Sequence, residues 1–177
     1  DVYNNLIDTV NKNLHLLHRY VDMRKKALKL DELHMYDLYV PIVKEPEGEI
    51  SYDAACQMVL QGLKPMGEEY TGYLEKAFKS GWIDVYENEG KTSGAYSWGT
   101  YLTHPYVLLN YQGTINDVFT LAHEMGHAMH SYYTNKTQPY VYSEYKIFVA
   151  EVASTVNESL LIHYLLNNTS DKKEKAY

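Results

Sequence analysis

The chain has 177 residues, 45% of them hydrophobic, and a formal net charge of −7 at pH 7. That length suffices for one substantial domain with its own core, and the negative charge without a basic cluster argues against nucleic acid as a main partner. No apolar run approaches the roughly 20 residues that cross a bilayer, which argues against a membrane protein. The single cysteine, Cys56, rules out internal disulfides and favours a reducing, cytoplasmic compartment.

The N-terminal segment is predicted to be one long helix. Apolar residues within 2–29 recur at spacings of three, four and seven, the pattern of an amphipathic helix. His15 and His18 lie on or beside this apolar stripe, and we interpret them as surface or core-edge histidines rather than metal ligands.

Two shorter helices are predicted after a connection. PIVKEPEGEI at 41–50 contains two prolines and a glycine and is typical of a loop. Ser51 is a suitable N-cap for a helix that runs to about residue 63. A third helix is expected after Pro65, and Gly81 can end it.

The next segments are predicted to be short strands. WIDVY (82–86), GAYSWGTY (94–101) and HPYVLLNY (104–111) are rich in aromatic and β-branched residues, and turn residues separate them. We expect a small antiparallel or mixed sheet.

Two long helices are predicted to follow. The first starts with Thr114 or Asn116 as N-cap and contains HEMGHAMH, and NKTQPYVYSEY at 135–145 interrupts the pattern. The last helix covers 148–166. The predicted fold class is mainly α, an α-rich α+β arrangement. It forms a single region over 1–177, with a helical part at 1–80, the sheet at 82–111 and the site helices at 114–166.

The sequence His-Glu-Met-Gly-His is typical of a catalytic zinc site. His123 and His127 are four residues apart, so on a helix they are rotated by about 40° and can share one Zn²⁺ ion. Glu124 is turned by about 100° from His123 and can take a proton from water that the metal activates. Gly126 leaves room for packing or for a substrate backbone, although glycine in a helix costs about 1 kcal/mol. The alternative, a chance pair of surface histidines, fits poorly with the apolar flanks.

The third metal ligand is expected from another helix. His130 lies one turn beyond His127, and three histidines along one helix do not easily converge on a tetrahedral ion. We therefore assign His130 to polar contacts around the ligands or in the core. Glu151, flanked by small residues, is the predicted ligand, and Glu158 or Asn157 is expected to hydrogen-bond a ligating histidine. Without the upstream motif, the two glutamates would more simply form a solvated stripe.

The segment GKTSGAYSWGTYLTHPYVLLNYQGTINDVFTLAHEMGHAMHSYYTN, with FVAEVASTVNESLL further on, resembles the oligoendopeptidase F group of the thimet-oligopeptidase-like zinc endopeptidases. The resemblance covers about residues 82–166. It implies a mostly helical, zincin-like catalytic core with a deep cleft. The catalytic and ligand positions of that family, and the acidic residue two turns later, fall on His123, Glu124, His127, Glu151 and Glu158.

The resemblance also implies short peptides as substrates, bound in extended form along a sheet edge. That edge is expected at Pro105–Asn110 or at Gly94–Trp98, where strand addition is possible. Gly94, Ala95 and Tyr96 are then candidate substrate contacts, and strands without substrate contact are the alternative.

The predicted function is a zinc metalloendopeptidase that uses one Zn²⁺ ion, an activated water and a glutamate general base. The family's downstream histidine and tyrosines, which stabilise the oxyanion, do not occur in this chain. A zinc-stabilised structural or binding module without turnover is therefore the alternative. The first residue, Asp1, and the charged end DKKEKAY suggest a piece of a longer peptidase.

Overall fold

The computed structural model describes residues 1–44 and 48–176, so part of the predicted connection at 41–50 lies outside the described residues. The chain forms two compact units, one made of Asp1–Glu47 with Asp171–Tyr177 and the other of Gly48–Ser170. The single catalytic-core region over 1–177 stays a prediction. The expected helical part at 1–80 is split, because its second half packs with the sheet and the site helices.

The first unit contains the predicted long helix, α1 (Val2–Ala27). Its only buried residue is Arg24, whose guanidinium donates hydrogen bonds to the carbonyls of Asp37 and Val40. Most of the apolar stripe of α1 is exposed, as are His15 and His18, whereas Leu14 and Val21 are half-buried. A 3₁₀ turn (Met35–Tyr39) follows, and a short helix that we did not predict lies near the C-terminus.

The second unit begins with the two predicted short helices, α2 (Tyr52–Gly62) and α3 (Glu68–Lys79). The Ser51 hydroxyl accepts a hydrogen bond from the Ala54 amide, which confirms the predicted N-cap. Gly81 has a φ of +72°, a left-handed conformation that suits glycine just after a helix.

The three predicted strands form one mixed sheet. They are shorter than expected: β1 (Ile83–Asp84), β2 (Tyr96–Trp98) and β3 (Tyr106–Leu108). β3 lies in the middle, parallel to β1 and antiparallel to β2. The alternative in which Pro105–Asn110 offers a free edge is therefore wrong, because both sides of β3 are paired. Among the described strands, β2 remains an edge strand.

Two long helices complete the second unit and confirm the predicted α-rich fold class. They are α4 (Ile115–Thr137) and α5 (Ile147–Asn168). The short helix near the C-terminus, which belongs to the first unit, is labelled α6 (Lys172–Ala176). The side chains and backbone amides of Thr114 and Asp117 form a reciprocal capping box at the start of α4. The connection between α4 and α5 is shorter than predicted and contains a 3₁₀ turn.

α4 forms the centre of the core and lies directly against α5. A Cβ atom placed on Gly126 would come within 2.7 Å of the Ser154 Cα and 2.8 Å of the Ala153 carbonyl oxygen. The glycine in the HEMGH segment therefore allows close helix packing, the first of the two reasons that the sequence left open. The fully buried side chains of this core include Leu63, Leu74, Leu121, Met125, Met129 and Leu161.

Gly126→Ala is expected to destabilise the protein. Overpacking against backbone atoms costs about 1–3 kcal/mol, and the better helix propensity of alanine offsets about 1 kcal/mol of that. We expect the free energy of unfolding to fall by up to about 2 kcal/mol in urea titrations. Gly72→Ala is the matched control, because Gly72 lies exposed within α3 with no atom within 4 Å of an added Cβ. It should unfold at a slightly higher urea concentration, and equal behaviour of the two variants would contradict the packing explanation.

Candidate metal centre

The structure brings together the two histidines of α4 and a glutamate of α5. The Nε2 atoms of His123 and His127 are 3.1 Å apart, because a four-residue spacing places both rings on one face of the helix. The Glu151 Oε2 atom lies 3.5 Å from His123 Nε2 and 3.6 Å from His127 Nε2. These three atoms form the donor triangle, which is the group of histidine and carboxylate atoms close enough to hold a metal ion.

The donor triangle has the size that a tetrahedral zinc site requires. Bonds of about 2.0–2.1 Å at tetrahedral angles place neighbouring donor atoms about 3.3–3.4 Å apart. The three observed separations, 3.1, 3.5 and 3.6 Å, lie on both sides of that value. Two imidazoles and one carboxylate are also a common donor set for catalytic zinc, in which the fourth position takes water or substrate.

The neighbours of His123 determine which of its nitrogens faces the triangle. Its Nδ1 atom contacts Glu158 Oε1, and because a carboxylate only accepts hydrogen bonds, Nδ1 must carry the hydrogen. In the neutral ring the lone pair then lies on Nε2, the atom that points to His127 and Glu151.

Asn157 forms its side-chain hydrogen bonds elsewhere, so the alternative that it hydrogen-bonds a ligating histidine is wrong. Its side chain is buried on α5, donates a hydrogen bond to the Ala122 carbonyl at 3.0 Å and accepts one from the Tyr70 hydroxyl at 2.9 Å. Asn157 therefore joins α5 to α3 and to α4. Its contact on α4 is Ala122, the residue before His123.

The electrostatic surroundings favour a neutral His127. Burial lowers the pKa of His127, and the neighbouring His123 lowers it further. A neutral imidazole offers the lone pair that metal coordination needs.

Glu124 lies beside the triangle and is almost fully buried, with 7% of its surface exposed. Its Oε2 atom has no hydrogen-bond partner among the described residues. Burial raises the pKa of Glu124, and the charge of Glu151 raises it further. A carboxylate with a raised pKa and a free oxygen is suited to accepting and releasing a proton.

His130 lies outside the donor triangle. Its ring stacks on Tyr145, with ring centroids 3.9 Å apart, and its buried Nδ1 atom has no hydrogen-bond partner within the described part of the chain. Burial lowers the pKa of His130. The predicted polar contact of His130 around the ligands or in the core stays a prediction.

The three candidate substrate residues lie at the start of the edge strand. The Gly94 carbonyl accepts a hydrogen bond from the Asn110 side chain at 2.8 Å, Ala95 packs partly buried against the core, and Tyr96 is half exposed. Just beyond β2, a Cβ on Gly99 would lie 2.5 Å from the Ser131 Cβ on α4. β2 therefore ends against α4 one turn after His127. Substrate contact by Gly94, Ala95 and Tyr96 stays a prediction.

Two side chains, one at the site and one at the sheet, have roles that sequence reasoning missed. The Ser154 hydroxyl donates a hydrogen bond to Glu151 Oε2 at 2.9 Å, whereas we considered Ser154 only as a small residue. The spacing of three residues on one helix is the signal that could have revealed it. The Lys91 ammonium donates hydrogen bonds to the Asp84 and Tyr86 carbonyls at 3.2 and 2.7 Å, which ties the loop before β2 to β1.

Fold and donor set together define a zincin-like helical protein with a candidate metal site. A family model described as peptidase family M3 matches residues 1–177. The chain belongs to peptidase family M3.

Individual relatives agree with this assignment. The chain is 55% identical over 177 residues to oligopeptidase PepF of Bacillus subtilis (strain 168), covering 100% of this chain and 26% of that protein. It is 47% identical over 174 residues to the chromosomal oligoendopeptidase F of Lactococcus lactis subsp. cremoris, covering 98% of this chain and 29% of that protein. The chain thus spans less than a third of the length of these relatives.

Solved structures have the same fold. A crystal structure of a peptidase from Chlamydophila abortus superposes with a TM-score of 0.88 and 45% sequence identity. The match covers 99% of this chain and 29% of that one. The oligoendopeptidase-F of Enterococcus faecium is 35% identical with a TM-score of 0.58, over 97% of this chain and 22% of that one. None of the helices within residues 1–44 and 48–176 combines the length and apolar character that a membrane span requires.

Proposed function

We propose that the protein carrying this chain is a zinc metalloendopeptidase that hydrolyses short peptides. The observation that carries the proposal is the donor triangle of His123, His127 and Glu151 beside the buried carboxylate of Glu124. Membership of peptidase family M3 and relatives named oligopeptidase and oligoendopeptidase support it. A reducing compartment, the cytoplasm, suits the free, buried Cys56.

Each residue of the site has a distinct task in this proposal. A Zn²⁺ ion held by the donor triangle would supply a Lewis acid able to polarise the scissile carbonyl and to lower the pKa of water toward 7. The Glu124 carboxylate accepts a proton from the attacking water and then donates it to the leaving amine. Its raised pKa helps it to retain the proton between these two transfers. Glu158 keeps the His123 ring oriented through Nδ1.

The edge strand offers a place for the substrate backbone. A peptide in extended form can add to the free side of β2, where its main chain would pair with residues 96–98. Because β2 ends against α4 close to the histidines, a peptide added there would run past the site. This arrangement supports Gly94, Ala95 and Tyr96 as substrate contacts.

Metal content and peptide hydrolysis, measured together on the complete gene product, test the proposal. We expect about one Zn²⁺ per chain and cleavage of an internally quenched fluorogenic peptide. A chelator should abolish cleavage, and added Zn²⁺ should restore it. Stoichiometric zinc without cleavage of any member of a peptide library would instead favour the structural module, and absence of zinc would contradict both.

A further inference from the structure

We propose that Ser154 is a positioning residue that holds the Glu151 carboxylate toward the two histidines and thereby sets the metal affinity of the site. The proposal rests on the proposed function, since it assigns a role toward the same metal. It concerns a side chain that neither coordinates the ion nor contacts substrate.

The hydrogen bond of Ser154 is directed at the oxygen that faces the histidines. Its hydroxyl donates to Glu151 Oε2 at 2.9 Å and also lies 3.1 Å from the Glu151 backbone carbonyl. The same Oε2 atom is 3.5 and 3.6 Å from the Nε2 atoms of His123 and His127. Ser154 therefore fixes the one carboxylate oxygen that completes the donor triangle.

Glu151 needs such a contact because its side chain is not held by packing. The side chain is 45% exposed, so without a partner the carboxylate could adopt other rotamers that point into solvent. A hydroxyl three residues later on the same helix restricts it to the rotamer that faces the histidines. Outer contacts of this kind orient ligands and raise metal affinity.

Ser154 is itself immobilised by the contact between the two helices. The residue is fully buried, and its Cα lies 2.7 Å from the position that a Cβ on Gly126 would take. Gly126 lies between the two histidines on α4. The contact with α4 therefore holds Ser154 in place, and the spacing of three residues on α5 sets the distance between its hydroxyl and the carboxylate.

Ser154→Ala is expected to weaken metal binding by about 10–100-fold, the range typical for loss of such outer contacts. Affinity for Zn²⁺ would be measured on the complete gene product by competition with a chromophoric chelator. In the Co²⁺-substituted protein the visible absorption bands should change, because the carboxylate is no longer held in one orientation. The variant should fold, since alanine is the better helix former and removes only one hydroxyl.

Thr155→Ala is the matched control. The Thr155 hydroxyl also bonds to the Glu151 carbonyl, at 2.6 Å, but it is exposed and makes no contact with the Glu151 carboxylate. Its loss should leave both the Zn²⁺ affinity and the Co²⁺ spectrum unchanged. Urea unfolding midpoints of the two metal-free variants would show whether either change acts through general stability.

A double-mutant cycle with Glu151→Ala decides whether Ser154 acts through the carboxylate. In that background Ser154→Ala should cause little further loss of affinity. An equal loss in both backgrounds, or equal affinities of Ser154→Ala and Thr155→Ala, would overturn the inference while the proposed function stands. Failure of the unmutated protein to bind Zn²⁺ would overturn the proposed function and this inference with it.

Discussion

Glu124→Gln is expected to lower the turnover number for peptide hydrolysis by about 10²–10⁴-fold, the usual contribution of a positioned general base. Glutamine has nearly the same shape as glutamate but cannot accept the proton of the attacking water. The site of Glu124 is 7% exposed, so bulk water and buffer bases have little access to replace it. The turnover number would be measured with an internally quenched peptide and the zinc content by mass spectrometry.

Zinc content separates this effect from loss of the metal. Because Glu124 lies outside the donor triangle, the Glu124→Gln variant should keep its Zn²⁺. Glu144→Gln serves as the matched control, since Glu144 is an exposed residue in the connection between α4 and α5. Substantial hydrolysis by zinc-loaded Glu124→Gln protein would remove Glu124 from the role of general base.

His127→Ala is expected to abolish both zinc binding and hydrolysis. The substitution removes one corner of the donor triangle, and the remaining two atoms, which are 3.5 Å apart, leave two of four positions to water. We expect the affinity for Zn²⁺ to fall by more than the roughly 100-fold that outer contacts reach. Competition with a chelator would measure the affinity, and hydrolysis would be assayed with excess Zn²⁺.

His163→Ala is the corresponding control. His163 lies exposed on α5, and its Nδ1 atom is 2.7 Å from the Ser159 carbonyl, away from the donor triangle. It should retain wild-type zinc affinity and hydrolysis. Unchanged zinc affinity of His127→Ala would show that the ion binds elsewhere, and the proposed function would lose its basis.

Most of the secondary structure follows from local patterns, because it depends on groups close together in the chain. Ser51 and Thr114 begin helices where their side chains can bond to nearby amides, and Gly81 ends one where the backbone turns left-handed. The spacing of His123 and His127 places both rings on one face of α4 for the same local reason.

The long-range contacts were predictable only in part. The motif indicated that a carboxylate must come from another helix, but the sequence left Asn157 open as an alternative to Glu158 for contact with a histidine. The packing of α5 on α4 turns Glu158 to His123 and Asn157 to the Ala122 carbonyl. Likewise, the tendency of a segment to form a strand does not reveal the order of the strands in a sheet. The central position of β3 is therefore known only from its pairing with β1 and β2.

Helix boundaries, caps and the histidine pair are thus encoded within a few consecutive residues, where backbone geometry limits the possible arrangements. The division into two units, the exposure of most of the apolar stripe of α1 and the approach of Glu151 to the two histidines are properties of the folded chain. The close approach at Gly126 is the physical reason for the last of these, because it decides which side chains of α5 reach the histidines. Such distances arise when distant segments pack, and no local pattern specifies them.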